Sequence, residues 1–162
     1  MPLIAASMIP GFIDIATNVP STPQEAAHRY AQVYNKYAQT ATALGSLPVF
    51  TGVEALALEK ILFAAMSNPA TGLPPTLALA WGTGILTYWN APPVAFTGAL
   101  TGTVLQAATA LAIIVPALTA LFSVPLNTKE TAALGLATAL DLGTKTVTVT
   151  LVPPPGTTAP LL

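Results

Sequence analysis

Residues 61–128, which begin ILFAAMSNPATGLPPTLALAWGTG and end VPLNT, contain no Asp, Glu, Lys or Arg. In the whole chain of 162 residues only 7% are charged, whereas an average soluble domain is about 25% charged. The mean hydropathy is +0.68, so this scarcity of charge does not indicate disorder, which combines low hydrophobicity with high net charge. We therefore expect one folded domain, part of whose surface contacts something other than water.

Three helix-start signals flank this uncharged segment or precede it. Thr22, Pro23 and Glu25 form a capping box with Pro at the first helical position. Glu54 and Glu130 follow two further starts of the same kind. Half of the six acidic residues therefore have a structural explanation, which weakens any interpretation of them as catalytic carboxylates.

Apolar spacing together with Pro and Gly boundaries predicts five helices. They cover residues 23–44, 52–67, 76–90, 98–123 and 128–142. Pro116 falls inside the fourth of these helices and is expected to kink it, because its ring clashes with the preceding turn.

The hydrophobic period changes from 3.6 to 2 near the C-terminus. Residues 146–151 alternate between Thr and apolar side chains, which predicts a half-buried strand. Residues 12–15 are the only candidate partner that this reasoning finds within the chain. Without them, the strand would pair with another chain by edge addition.

The sequence thus predicts a mainly α fold, a bundle of about five helices with one Pro-kinked, followed by a C-terminal β-strand. We expect an extended N-terminal arm over residues 1–20, a helical domain over 21–143, and a strand with a Pro-rich arm over 144–162. The Pro-rich tail is expected to be extended. Both arms are expected to hold neighbouring subunits.

Nine residues are predicted to form contacts between subunits. They are Trp81, Tyr88, Trp89, Phe96, Gly98, Gly102, Val147, Val149 and Leu151. The four aromatic residues are typical of core or interface anchors, and the last three share the apolar face of the predicted strand. The two glycines form a Gly-x-x-x-Gly motif, which lets two helices approach closely. The pairs Ala78 with Gly82 and Ala80 with Gly84 have the same spacing.

The sequence offers little catalytic or metal-binding chemistry. Glu25 and His28 form a Glu-x-x-His pair, but a di-iron bundle needs a second such pair, and His28 is the single histidine. The absence of Cys excludes thiolate sites, and no Gly-x-Ser-x-Gly elbow occurs. The segment Gly82-Thr83-Gly84 lacks the third glycine of a dinucleotide fingerprint. We predict no catalytic residue, cofactor, metal or small-molecule substrate.

The net charge of −1 and the five scattered basic residues give no electrostatic footprint for a nucleic acid. Small, Cys-free and rich in Ala and Thr, the chain resembles structural subunits of tailed bacteriophage virions. That resemblance implies a tail, baseplate, neck or capsid component, assembled in the host cytoplasm with copies of itself or other subunits. We therefore predict a non-enzymatic structural subunit.

The alternative is a small integral membrane protein, either holin-like or a subunit of a membrane complex. It would place one or two spans within residues 74–124, since a bilayer helix needs about 20 mainly apolar residues. The sequence leaves open whether the uncharged segment meets protein or lipid.

Overall fold

This computed structural model of the chain describes residues 3–43, 45–68, 74–90, 94–97, 100–104, 107–124, 128–152 and 157–162. In these residues, a 3-10 turn over Ala5–Ser7 precedes six α-helices: α1 Ile9–Thr17, α2 Pro23–Ala38, α3 Val53–Ser67, α4 Pro74–Asn90, α5 Ala107–Ser123 and α6 Lys129–Lys145. The strands are β1 Pro48–Val49, β2 Ala95–Phe96, β3 Leu100–Val104, β4 Thr148–Val152 and β5 Thr157–Pro160. The predicted mainly α fold with a C-terminal strand is confirmed.

The helices pack in chain order around one hydrophobic core. Each helix from α2 to α5 contacts the next one, and α1 contacts both α6 and α2, so the six helices close a ring of neighbours. Large buried side chains from all six helices include Phe12, Tyr34, Leu62, Trp81, Ile114 and Leu140. Pro116 lies inside α5, as the sequence indicates.

The helix starts follow the sequence signals. The hydroxyl oxygens of Thr22 and Thr128 accept hydrogen bonds from the backbone N–H groups of Glu25 and Thr131, each at 3.1 Å. Glu54 is buried and accepts two backbone N–H groups immediately before α3. Orphan N–H groups of the first turn are satisfied in this way, which confirms the structural explanation for these residues.

Small residues bring neighbouring helices together, as predicted for α4. A Cβ atom at Gly82 would lie 2.7 Å from Leu111 Cδ2 of α5, and one at Gly84 would lie 2.6 Å from Leu58 Cδ1 of α3. Neither side chain could keep its position if the glycine became larger. The two glycines therefore allow α4 to pack closely against both of its neighbours.

The five strands form one antiparallel sheet in the order β1-β2-β3-β4-β5. The predicted C-terminal strand is β4, and it lies between β3 and β5. The expectation that it pairs with residues 12–15 or with another chain is therefore wrong. Residues 100–104 were expected to be helical, but Thr and Gly are poor helix formers and the β-branched residues favour a strand.

The N-terminal arm predicted over residues 1–20 is also wrong for α1, because Ile9–Thr17 is helical. Pro10 occupies the first turn of that helix, where a missing N–H has no effect on helical bonding. Phe12 and Ile15 face the core. Their burial explains why this segment folds onto the bundle.

The C-terminal arm is not extended away from the chain over residues 157–162. Strand β5 pairs with β4, and Leu162 exchanges two backbone hydrogen bonds with Thr42, at 2.8 and 3.0 Å. Leu161 is buried. The predicted arm is therefore wrong here, because the backbone groups of the last residues bond to their own chain; residues 153–156 of that arm lie outside the described residues.

Two helix ends differ from the sequence expectation. Helix α2 ends at Ala38 rather than at residue 44. Helix α6 continues past Gly143 to Lys145, and Gly143 packs against Ile114 of α5. This glycine serves close helix packing and is not a helix terminator.

Candidate functional site

The charged side chains of the helices lie on α1, α2, α3 and the first and last turns of α6. Arg29 Nη2 of α2 lies 2.7 Å from Asp14 Oδ2 of α1. His28 Nδ1 lies 2.8 Å from Glu59 Oε2 of α3. Helices α4 and α5 carry no charged residue, whereas the neighbouring α6 carries Lys129, Glu130, Asp141 and Lys145.

The polar side of the molecule does not assemble the Glu-x-x-His metal pair. Glu25 accepts hydrogen bonds from the backbone N–H and the hydroxyl of Ser21, both at 2.9 Å, and these bonds lower its pKa. His28 pairs instead with Glu59. Within the part of the chain that the structure describes, no three His, Cys, Asp or Glu side chains come close enough to hold a metal ion.

A buried polar network fastens α2, α4 and α6 to one another. Trp89 Nε1 donates to the Tyr34 hydroxyl oxygen at 2.9 Å, and that oxygen lies 2.8 Å from Thr144 Oγ1. The Tyr37 hydroxyl donates to Asp141 Oδ1 at 2.8 Å. Burial raises the pKa of both tyrosines. The partners of these groups belong to the same chain, so we assign the network a structural role.

The structure corrects the interface role predicted for five residues. Trp81, Tyr88, Trp89, Phe96 and Val147 are each at most 3% exposed and belong to the core of the chain itself. Trp81, Tyr88 and Trp89 make edge-to-face ring contacts at centroid distances of 5.2 to 5.7 Å. Their side chains are therefore already covered and offer no surface to a neighbour.

Three of the four remaining predicted interface residues lie in the sheet. Gly102 lies in β3, paired with Leu151 of β4, and Val149 of β4 is paired with Val104. Gly98 lies outside the described residues. The close helix contact predicted from Gly98 and Gly102 is thus wrong, because residue 102 belongs to a strand.

An apolar groove, which we name the α5–α6 groove, opens between α5 and α6. It has a volume of about 430 Å³ and is lined by Ala117, Ala120, Leu121, Val124, Gly135, Thr138, Ala139 and Leu142. On each helix these positions follow the spacing i, i+3, i+4, i+7, which marks one face of an α-helix. This spacing is the sequence signal for the groove. The prediction of interface residues from aromatic side chains does not include it.

The α5–α6 groove is lined by small residues and by larger apolar ones. A Cβ atom at Gly135 would lie 2.5 Å from Leu121 Cδ1, so the absent side chain lets α5 and α6 approach closely. Val124, Leu134 and Leu142 beside the groove are 59%, 54% and 52% exposed. Large apolar side chains exposed together on one uncharged face are typical of an interaction surface.

None of the helices in the described part of the chain combines the length and the apolar character that a bilayer span requires. No protein-family model, no curated protein and no solved structure matches the chain. The geometry of the groove is therefore the basis of the proposed function.

Proposed function

We propose that this chain is a non-enzymatic structural subunit of a larger protein assembly whose partners include copies of itself. The α5–α6 groove is the contact surface in this proposal. The observation that carries it is the exposure of Val124, Leu134 and Leu142 beside a groove without any charged lining residue. Removing apolar surface from water stabilises an association by about 25 cal/mol per Å².

The density of charge over the whole surface supports the same proposal. The folded chain exposes 7660 Å² and carries eleven formal charges, which is about 700 Å² for each charge. A standard interface covers about 800 Å² on each partner, so an interface-sized patch of this chain carries about one charge. A surface with so few charges favours an arrangement in which another protein covers part of it.

The composition indicates the class of assembly. The resemblance to structural subunits of tailed bacteriophage virions makes a tail, baseplate, neck or capsid component the proposed role, in a particle assembled in the host cytoplasm. A virion subunit remains in permanent contact with its neighbours. Permanent interfaces are more hydrophobic than transient ones and resemble a domain core cut in half.

The proposal is tested by placing one charge in the groove. Ala120→Glu introduces a carboxylate among the lining residues of the α5–α6 groove. The matched control is Ala64→Glu, at an exposed alanine of α3 that lies one turn from Lys60. Both substitutions add the same side chain to an exposed helical position, so they differ in location and not in chemistry.

Sedimentation of the purified chain without detergent, at rising concentration, gives the readout. We expect the natural sequence and Ala64→Glu to form discrete species larger than the 16.5 kDa chain, and Ala120→Glu to remain a folded monomer by circular dichroism. A natural chain that stays monomeric at every concentration overturns the proposal. So does a folded chain that is recovered only from membranes, and only with detergent.

A further inference from the structure

We propose that a cavity between α1, α2, α5 and α6, which we name the Lys129 cavity, binds a small aromatic carboxylate, that is, one aromatic ring carrying one carboxylate group. This inference goes beyond the proposed function and does not rest on it, because the ligand binds within a single subunit. It is carried by the size of the cavity, by the aromatic side chains that line it and by the charge at its opening.

The size of the Lys129 cavity matches one ring. Its volume is about 110 Å³, whereas close-packed protein interiors contain few voids larger than a water molecule. An apolar cavity of about 150 Å³ holds benzene. The Lys129 cavity is smaller but partly open, so a ring can enter it while its substituent remains at the opening. A ligand with several fused rings would not fit.

Aromatic side chains form a large part of the lining. Phe12 of α1, Tyr30 of α2 and Phe122 of α5 contribute their rings. The ring centroids of Phe12 and Tyr30 are 5.9 Å apart, and the ring planes are tilted by 44°. The remaining described lining residues other than Lys129 are alanines and leucines. Such a lining offers a water molecule too few polar partners, whereas a ligand ring can make the tilted and edge-to-face contacts that aromatic pairs prefer.

The opening of the cavity carries a positive charge. Lys129 is the exposed member of the described lining residues, so its side chain marks the opening. Its Nζ lies 3.4 Å from Thr17 Oγ1, which is a long hydrogen bond, and it forms no ion pair within the part of the chain that the structure describes. Burial raises the pKa of the Tyr30 hydroxyl, the other polar group of the lining, so that hydroxyl is neutral at pH 7. One ammonium group without a counterion matches one carboxylate at the outer end of the ligand.

Saturation-transfer NMR on the natural chain tests the inference, because the method detects a bound small molecule whether the chain is a monomer or an assembly. Benzoate is the probe. Acetate carries the same charge without a ring, and benzylamine carries the same ring with the opposite charge. We expect benzoate to bind more tightly than acetate by about ten-fold or more, because the ring leaves water. We expect benzylamine to bind about five-fold more weakly than benzoate, because its ammonium group is repelled by Lys129.

Two substitutions test the location of the site, each with a matched control at an exposed position of α3. Lys129→Gln removes the charge at the opening, and Lys60→Gln makes the same change elsewhere. Ala16→Leu fills the cavity from α1, and Ala64→Leu adds the same atoms to an exposed helical position. Leu121 is left unchanged because it lines the α5–α6 groove as well.

The two substitutions should weaken binding to different extents. We expect Lys129→Gln to weaken benzoate binding by about two- to five-fold, since an ion pair near the surface contributes modestly. We expect Ala16→Leu to abolish benzoate binding, because leucine occupies the space of the ring. Both control variants should bind benzoate as the natural chain does.

The absence of saturation transfer to benzoate overturns the inference. Benzoate binding that equals that of acetate or benzylamine, or that is unchanged in Lys129→Gln or in folded Ala16→Leu, overturns it as well. If circular dichroism shows that Ala16→Leu does not fold, Ala132→Leu fills the same cavity from α6 and takes its place. A monomeric natural chain that binds benzoate selectively rejects the proposed function and supports this inference. An assembling chain that does not bind benzoate does the reverse.

Discussion

The Tyr34 hydroxyl oxygen lies 2.8 Å from Thr144 Oγ1 and joins α2 to α6 across 110 positions of sequence. Trp89 of α4 donates its indole N–H to the same hydroxyl. Three helices that are distant in the chain thus meet at one buried oxygen. Because hydrogen bonds in a buried site have no water to replace them, this oxygen should contribute measurably to stability.

Removing that hydroxyl is the first test. We expect Tyr34→Phe to lower the free energy of unfolding by about 1 to 3 kcal/mol, because the indole N–H of Trp89 loses its buried acceptor. Tyr30→Phe is the matched control, since the described residues provide no hydrogen-bond partner for the Tyr30 hydroxyl. Chemical denaturation of both variants measures the difference. Equal free energies of unfolding for the two variants would show that this hydrogen-bond network does not stabilise the fold.

Alkaline pH should unfold the chain through its buried tyrosines. Burial raises the pKa of Tyr34, Tyr37 and Tyr88 above the ordinary value of about 10. Their contribution is fully present below that value and is lost as the pH rises above it, since the unfolded chain then ionises and the folded one does not. The loss is about 1.4 kcal/mol per pH unit for each tyrosine.

The measurement is denaturation over a pH series, with tyrosinate absorbance of the folded chain followed in parallel. We expect tyrosinate absorbance from these residues to appear together with the loss of helical circular dichroism. Ionisation of all four tyrosines near the ordinary pKa in a chain that remains folded would contradict the burial of the network.

Acidic pH should have a smaller effect on stability than alkaline pH, and it acts through Asp14 of α1. Hydrogen bonds from Asn18 and Arg29 hold the pKa of Asp14 below its ordinary value. The stability that this carboxylate contributes is present above the ordinary pKa and is lost as the pH falls towards the folded one. We expect Asp14→Asn to lower the melting temperature slightly near pH 7, and this difference to shrink as the pH falls below the ordinary pKa of about 3.9.

The comparison is a pair of melting curves, one for the natural chain and one for Asp14→Asn, at each pH. A difference in melting temperature that stays constant down to the lowest pH would show that the charge of Asp14 plays no part. The exposed position of this carboxylate keeps the expected difference small, since surface ion pairs are screened by water and salt.

Close packing of α5 against α6 depends on Gly143. A Cβ atom at this position would overlap Ile114 of α5, so Gly143→Ala should lower the free energy of unfolding by about 1 to 3 kcal/mol through overpacking. Adding Ile114→Ala removes the atoms in conflict. The double variant should therefore lose less stability than the sum of the two single variants, in a double-mutant cycle by denaturation. Additive losses would exclude this contact.

Local signals in the sequence predict the helices well where caps and prolines mark them. The starts of α2, α3 and α6 follow Thr22, Thr51 and Thr128, and Pro74 and Pro75 are the first two residues of α4. These signals are local because a cap satisfies N–H groups within three residues of itself. They do not identify α1, whose residues the sequence assigns to an N-terminal arm, although Pro10 occupies a first-turn position that proline tolerates.

The sheet and the interaction surface depend on contacts distant in sequence. Residues 100–104 lie next to a helical pattern, and pairing with β2 and β4 completes the strand that their β-branched residues favour. Trp81 and Trp89 have the residue type of an interface anchor and of a core residue alike, and the ring of helices that covers them is not visible in composition. The α5–α6 groove is indicated by the i, i+3, i+4, i+7 spacing of its lining residues rather than by their residue types.

The central claim is that the uncharged face of α5 and α6 joins this chain to its neighbours, and sedimentation of the natural chain beside Ala120→Glu tests it most directly. The account predicts a discrete species larger than the 16.5 kDa chain for the natural sequence and a folded monomer for Ala120→Glu. A natural chain that sediments as a stable monomer, or an Ala120→Glu variant that associates as the natural chain does, would contradict it.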